Sequence, residues 1–219
     1  SAFLLALPAL GFVQLAAISP TYGAELDDGL VLLGASVFDY ELAIVRVDRP
    51  RLVFGYIFHI AAFISVIYAL RVREWGQHVA ALIYVGSAIG AVFAGDLITL
   101  FVYWEITAAS SVFLVWARRT PSSYRAGMRY LIIQVGSGVL LLAGALARVY
   151  ETGSIEFGYI GLAGLGATLI FIAFGIKAAF PLLHTWLPDA YPEATVTGTV
   201  FLSAFTTKLA IYALARAFP

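Results

Sequence analysis

Long apolar runs separated by short polar segments dominate the sequence. A membrane-spanning helix needs about 20 mostly apolar residues, and the apolar runs approach or exceed this length. The chain is therefore expected to be an all-α polytopic membrane protein with about seven transmembrane helices. The predicted spans are Ala2–Ile18, Leu52–Leu70, Val79–Gly95, Leu97–Ala117, Gly127–Ala147, Phe157–Leu183 and Thr195–Ala215.

One polar segment, residues 19–51, interrupts this apolar pattern and holds six of the 13 acidic residues. Within it, Val37–Val47 places β-branched and aromatic residues at nearly alternate positions, which is typical of a strand. We predict a short β-hairpin that lies outside the membrane. The chain then divides into a first span with an external hairpin region, residues 1–51, and a helix bundle, residues 52–219.

The composition agrees with a membrane protein and narrows its chemistry. The chain is 62% hydrophobic and 12% charged, whereas soluble domains have about 25% charged residues. A net charge of zero implies no nucleic-acid partner. These residues include no cysteine, and they show no glycine-rich phosphate loop and no histidine pair at metal or haem spacing. No cofactor and no metal is expected.

The arginines predict the orientation in the membrane, because short cytoplasmic loops are enriched in basic residues. One short loop contains Arg71–Arg73, and a second arginine-rich segment covers residues 118–129. Both lie on the same side if the spans alternate. We therefore place them and the N-terminus inside, and the hairpin and the loop around Glu151 and Glu156 outside.

Three charged residues, Glu105, Lys177 and Lys208, lie deep in predicted spans, whereas every arginine lies in a loop or near a span end. A charge at the bilayer centre costs about 2.5–3.5 kcal/mol, so all three are expected to face the bundle interior and to find partners. A buried lysine can exchange its proton, whereas an arginine stays charged. If Glu105 pairs with Lys177, separating them would favour proton release, whereas a static pair would only fix helix packing. Both interpretations stay open.

Phe171–Ala194 concentrates prolines and polar groups in one stretch. Proline has no N–H, so Pro181 and Pro188 free the carbonyls four residues earlier, at Lys177 and His184. Irregular backbone in a bilayer is tolerated only beside protein or a water-filled cavity. We predict a helix broken at Pro181 that forms part of an ion path. His184 is either a satisfied core histidine or a proton relay, and its position between two prolines, seven residues after Lys177, favours the relay.

The remaining polar residues of interest allow simpler interpretations. Asp189 and Glu193, which follow the broken helix, either collect protons at a channel mouth or only solvate the loop. Asp96 is predicted to be a helix N-cap. His59 and His78 are isolated in the sequence, and we interpret both as structural.

The chain resembles the antiporter-like proton-translocating subunits, namely the D component, and the homologous part of the A component, of Mrp-type sodium/proton antiporters and the antiporter-like subunits of respiratory complex I. The resemblance covers roughly Val47–Arg216 and rests on DLITLFVYWEITAASSVFLVW, YRAGMRYLIIQVGSG, KAAFPLLHTWLPDAYPEA and TTKLAIYALAR. The arginine-rich loop and VFDYELAIVRVDR look closer to the Mrp type. Thr195 stands where family members have proline after PEA, which is a mild departure.

The resemblance implies a role for each matching residue. Glu105 matches the glutamate of the family's fifth helix, and Lys177 matches the lysine of its broken seventh helix. His184 matches the histidine after that lysine, and Lys208 matches the lysine of the eighth helix. Protons would then reach Lys177 through water and His184, leave when Glu105 moves, and pass to Lys208.

The family has one helix before our first span and a second repeat after its eighth helix, so the resemblance covers only the N-terminal half of the family. We expect another chain or segment to supply the second half. The expected protein is a multi-pass transporter subunit of the cell (plasma or inner) membrane, not itself catalytic, whose partners are other membrane subunits, protons and sodium. Its alternatives are a proton-pumping subunit of a redox-driven complex I-like machine and a structural or assembly subunit without flux.

Overall fold

The computed structural model describes residues 2–21, 25–37 and 40–219. Five helices are long and apolar enough to span a membrane, namely those that begin at Arg49, Trp75, Leu97, Pro121 and Val196, and two shorter apolar helices accompany them. The predicted multi-span helical architecture with a small antiparallel hairpin is confirmed. The elements in order are α1 (Ala2–Thr21), β1 (Leu30–Val37), β2 (Tyr40–Val47), α2 (Arg49–Ala69), α3 (Trp75–Phe93), α4 (Leu97–Trp116), α5 (Pro121–Thr152), α6 (Gly164–Lys177), α7 (Trp186–Ala190) and α8 (Val196–Ala217).

The hairpin is larger than predicted. Its strands pair antiparallel, with Leu30 opposite Val47 and Val37 opposite Tyr40, so the predicted segment Val37–Val47 contains only the end of β1 and all of β2. The first strand was missed because its sequence, LVLLGASV, lacks alternation of polar and apolar residues. The turn residues 38 and 39, which include the predicted hairpin residue Asp39, lie outside the described residues.

The predicted span Phe157–Leu183 starts too early, since helix α6 begins at Gly164, and the helix ends at Lys177, at the predicted break before Pro181. The residues before α6 are apolar because they pack onto the bundle as a loop, with Phe157 fully buried and Ile160 8% exposed. The Ile160 N–H donates to the Ala217 carbonyl at 2.8 Å, which satisfies the loop backbone without a helix. Hydrophobicity alone did not distinguish this buried loop from helix.

At one end of the bundle, which we call the hairpin end, the hairpin is joined to the α3–α4 turn. The Gly95 N–H donates to the Ala43 carbonyl at 2.8 Å, and the Ala43 N–H donates to Asp96 Oδ2 at 2.9 Å. Asp96 also accepts from the Thr99 N–H at 2.7 Å, which confirms the predicted N-cap of α4. The hairpin is therefore fixed to the helices rather than hanging freely from them.

A buried charge cluster of Asp48, Arg51 and Arg216 closes the hairpin end. Arg51 is fully buried; its guanidinium donates to Asp48 and, at 2.8 and 3.2 Å, to the Ala94 and Phe157 carbonyls. Arg216 donates to Asp48 Oδ2 at 2.5 Å. Burial raises the pKa of Asp48, but the charge and the backbone N–H of Arg51, together with Arg216, outweigh this and hold that pKa below its usual value.

The opposite end, which we call the arginine end, gathers the two basic loops, as predicted. Arg119 Nη2 lies 3.1 Å from Glu74 Oε1, which joins the loop after α2 to the loop after α4. The segment after α7 meets the same surface, because Ser122 Oγ donates to Glu193 at 2.8 Å. Which end faces the cytoplasm stays a prediction.

The helices α5 and α6 pack almost backbone to backbone. A Cβ atom added to Gly144 would lie 2.9 Å from the Gly166 carbonyl oxygen, and one added to Gly166 would lie 2.6 Å from the Arg148 nitrogen. Neither neighbour is a flexible side chain, so both positions require glycine. Small residues allow this close approach between membrane helices, and the contact fixes the height at which α6 presents its last residue, Lys177.

Candidate functional site

Lys177 ends α6 and is fully buried in the helix bundle. Its Nζ donates to the Trp104 carbonyl of α4 at 3.3 Å and lies 4.2 Å from the centre of the Trp104 ring. A cation over an aromatic face gains about 0.5–2 kcal/mol, more where water is excluded. The prediction that this lysine faces the interior is confirmed.

Trp104 is itself held by hydrogen bonds that join three helices. Its Nε1–H donates to Ser137 Oγ of α5 at 3.0 Å, and that hydroxyl donates to the Ala173 carbonyl of α6 at 2.9 Å. Trp104 and Ser137 are both fully buried. The acceptor and the ring that receive the Lys177 amine are therefore fixed by α4, α5 and α6 together.

Glu105 follows Trp104 on α4, and its side chain is directed at α5. Its Oε1 is buried without a hydrogen-bond partner, and a Cβ atom added to Gly138 would overlap that oxygen. The predicted ion pair with Lys177 is wrong for this conformation, because the salt bridges among the described residues do not include one between them. Lys177 bonds to the Trp104 carbonyl instead, while Glu105 rests on Gly138.

Gln134 of α5 is a buried polar residue that the sequence analysis missed. It is fully buried, and neither its Nε2 nor its Oε1 has a hydrogen-bond partner among the residues that the structure describes. Gln134 and Glu105 supply three of the six buried side-chain atoms without partners in the described part of the chain. A buried polar atom left without any partner costs about 1–3 kcal/mol, so the concentration of three such atoms between α4 and α5 needs an explanation. A neutral amide in the run LIIQVGSG carries no charge signal that would single it out.

The helix break lies where Pro181 predicts it, because α6 ends four residues earlier at Lys177. The two other expectations for this stretch are wrong. The His184 carbonyl is not free, since it accepts from the Leu187 N–H at 2.9 Å. Pro188 breaks no helix either, because it lies in the first turn of α7, where proline is tolerated. A bond of 2.9 Å from Trp186 Nε1 to the Ile176 carbonyl fastens α7 back onto the end of α6.

The other two predicted proton-transfer residues lie at the surface of the described chain. His184, between α6 and α7, and Lys208, near the middle of α8, are both exposed. The expectation that Lys208 faces the interior of these helices is therefore wrong. The inward side of α8 is occupied instead by apolar and aromatic residues such as Phe205, Leu209 and Tyr212. The structure thus brings Glu105 and Lys177 together around Trp104 and leaves His184 and Lys208 outside.

The two acidic residues beyond the break are both tied to the arginine-rich segment. Arg129 Nε and Nη2 donate to the two carboxylate oxygens of Asp189, each at 2.7 Å. These hydrogen bonds and the charge of Arg129 lower the pKa of Asp189. Glu193 accepts from Ser122 and lies 3.9 Å from Arg118. A bidentate arginine–carboxylate contact fixes geometry as well as charge, so Asp189 and Glu193 hold the segment after the break in place.

The lone histidines have backbone partners. His59 Nδ1 is 2.7 Å from the Gly55 carbonyl, and His78 Nε2 is 2.9 Å from the Val72 carbonyl. Within residues 2–21, 25–37 and 40–219, no group of three histidine, cysteine or acidic residues is arranged to hold a metal ion.

The chain is similar to proteins of a known family. Residues 94–219, more than half of the chain, match the family described as NADH:quinone oxidoreductase/Mrp antiporter, TM. Hydrogenase-4 component B of Escherichia coli (strain K12) is 28% identical over 241 residues, which cover 99% of this chain and 36% of that protein. NAD(P)H-quinone oxidoreductase chain 4 1 of Synechococcus sp. (strain JA-3-3Ab) is 30% identical over 144 residues, 62% of this chain and 27% of that protein.

The fold matches a chain of the Mrp complex from Dietzia sp. DQ12-45-1b with a TM-score of 0.81 and 22% identity, over 99% of this chain and 43% of that chain. The chain thus spans about a third of the length of these curated relatives. The family match includes α4, α5 and α6, the helices that build the Lys177 site. This multi-span membrane chain belongs to the NADH:quinone oxidoreductase/Mrp antiporter family.

Proposed function

We propose that the chain is a proton-translocating membrane subunit of a multi-subunit Mrp-type sodium/proton antiporter. The observation that carries this proposal is Lys177, a fully buried amine whose contacts are a neutral carbonyl and an aromatic ring. A structural cation in such a place would gain more from a fixed carboxylate partner. Lysine can gain and lose a proton when it is buried, whereas arginine cannot.

In the proposed mechanism, protons enter from the arginine end through the irregular segment 178–185, where His184 relays them to Lys177. The Trp104 carbonyl and ring stabilise the ammonium form. Movement of Glu105 towards Lys177 favours the charged amine, and its return to Gly138 favours release. The proton then passes to Lys208, which leads into the second half of the transport path.

The exposed position of Lys208 also supports the proposal that other membrane segments pack against this chain. This residue is exposed near the middle of a membrane-spanning helix, and a charge facing lipid at that depth is costly. We propose that another membrane segment, from this or another chain, covers it and continues the proton path. The first span with the external hairpin region, residues 1–51, and the bundle 52–219 are the two functional parts of the proposed subunit, which lies in the cell membrane with other membrane subunits.

The comparisons favour a second candidate, a proton-pumping subunit of a redox-driven complex I-like machine. The curated relatives are named as hydrogenase and quinone oxidoreductase components, whereas the structural match that supports the first candidate is a chain of an Mrp complex. Proton flux through the assembled complex distinguishes them. A sodium gradient drives it if the chain works in an antiporter, and electron transfer drives it if the chain works in a redox machine.

The test replaces Lys177 and Glu105 separately by alanine in the assembled complex, reconstituted in vesicles that contain a pH-sensitive dye. We expect proton flux to fall about tenfold or more in each variant, because each removes a group that exchanges or controls the proton. Lys177→Arg keeps the charge and should be equally inactive. Glu25→Ala, which removes an exposed carboxylate near the hairpin, is the matched control. Normal flux in the assembled Lys177 and Glu105 variants would leave a structural or assembly role.

A further inference from the structure

Gln134 lies on the same face of α5 as the residues that contact the Lys177 site. The α5 residues that meet α4 include Tyr130, which bonds to Ser111 at 2.8 Å, Ser137, which bonds to Trp104, and Gly138, which faces Glu105. An α-helix turns about 100° per residue, so Gln134 falls between Ser137 and Gly138 around the helix axis. The buried, unpaired amide is therefore directed at α4.

Opposite Gln134, α4 carries a small residue. The two helices are antiparallel, since Glu105 meets Gly138 and Ser111 meets Tyr130. Halfway between these contacts lie Gln134 on α5 and Ala108 on α4, which is 1% exposed. At 100° per residue around the axis of α4, the direction of Ala108 falls between those of Trp104 and Glu105. The α4 side chain opposite the amide is therefore only a methyl group.

Lys177 reaches the same level of the bundle. Its Nζ bonds to the carbonyl of Trp104, and in an α-helix a carbonyl points along the axis towards the residue four positions later, here Ala108. Those four residues span about 6 Å. The Lys177 amine, the Glu105 carboxylate and the Gln134 amide thus lie along the same stretch of the α4–α5 contact, although Glu105 and Lys177 form no salt bridge among the described residues.

We propose that Gln134 is a positioning residue of this site, whose amide holds a water molecule that links Lys177 to Glu105. The inference rests on the proposed proton transfer at Lys177. The water accepts a proton from the Lys177 ammonium and gives one of its own to the Glu105 carboxylate. The ammonium becomes an amine, the carboxylate becomes a carboxylic acid and the water is restored. Glu105 then gives up this proton towards Lys208 and becomes a carboxylate again.

A glutamine suits this task because its amide offers two donors and an acceptor and does not itself take up the proton. The same inference accounts for the unpaired atoms of Gln134 and Glu105, since buried polar groups in proteins are commonly satisfied by bound water. A purely structural amide would be expected to bond to a neighbouring backbone or side-chain group.

The test compares Gln134→Met, which keeps the length but removes the amide, with Gln134→Asn, which keeps the amide. In the assembled complex, we expect Gln134→Met to lower proton flux about tenfold and to shift its pH profile, and Gln134→Asn to keep most of the flux. Thermal stability should not fall in Gln134→Met, because the water is lost together with the amide that holds it, and replacing both partners by an apolar group of similar shape is nearly neutral. Gln14→Met, at an exposed position of α1, is the matched control.

A second measurement reports on the water without using flux. The chain has no cysteine, so Ala108→Cys introduces one thiol beside Gln134, and Ag⁺ tests whether water-borne ions reach it. We expect Ag⁺ to react several-fold more slowly when Gln134→Met is also present. Equal rates, unchanged flux in Gln134→Met, or a loss of flux that merely follows a loss of stability would each overturn the inference. If Lys177→Ala keeps normal flux, the proposed function fails instead, whatever the Ag⁺ result.

Discussion

Gly138→Ala tests the position of Glu105 directly, because the added methyl group would occupy the place of the carboxylate. Its Cβ would overlap Glu105 Oε1 and lie 2.7 Å from Cδ and 3.4 Å from Cγ. Glu105 must then leave α5. Gly136→Ala is the matched control, since Gly136 lies in the same helix, is exposed and has no atom within 4 Å of an added Cβ.

The two variants separate the stability gained by alanine in a helix from the stability lost by the contact of its methyl group with Glu105. Alanine in a helix interior stabilises by about 0.5–1 kcal/mol relative to glycine, and both variants gain this. Overpacking costs about 1–3 kcal/mol, and only Gly138→Ala meets it. Since the obstacle is the end of a flexible side chain, the lower part of that range applies. Gly138→Ala should therefore be about 1 kcal/mol less stable than Gly136→Ala.

The assay is thermal unfolding of the detergent-solubilised protein, together with proton flux in the reconstituted complex. Gly136→Ala should keep normal flux, whereas Gly138→Ala should change it, because Glu105 loses its position away from Lys177. If both variants show the same stability and the same flux, Glu105 does not rest on Gly138, and the proposed movement has no structural basis.

Two further predictions concern the two ends of the bundle. Arg51→Met should lower the free energy of unfolding by about 3–5 kcal/mol, because it breaks a buried ion pair with Asp48 and leaves the buried Ala94 carbonyl without its side-chain donor; a denaturant titration that shows less than about 1 kcal/mol would contradict this. Arg129→Lys should loosen α7, because lysine cannot make the bidentate contact with Asp189. Hydrogen exchange at residues 186–190 should then quicken, whereas Arg125→Lys, at an exposed position of the same segment, should leave it unchanged.

The sequence predicted the features that depend on the chain's own local pattern. The end of α6 at Lys177 follows from Pro181, since proline removes a backbone donor wherever it lies in a helix. The N-cap at Asp96 and the interior position of Lys177 follow similarly, from backbone geometry and from the cost of a charge in lipid.

Features that depend on tertiary neighbours were missed or mistaken. The loop at Phe157 is as apolar as a span, because a loop that packs on a bundle obeys the same hydrophobic rule as a helix. The direct Glu105–Lys177 pair was inferred from opposite charge alone, but the Trp104 carbonyl and ring occupy the lysine. Gln134 carries no charge, so its importance appears only once its lack of hydrogen bonds can be seen.

The tight seam between α5 and α6 determines where this protein can change shape. Gly144 and Gly166 leave α6 no clearance to slide or rotate against α5, and the Trp186 bond anchors the far side of the break. A change in the charge of Lys177 would therefore do little to tilt α6 as a rigid rod. It would instead move the Glu105 side chain and the short turn of residues 178–185, where the φ angles of Ala179 and Leu182 already lie in the left-handed region.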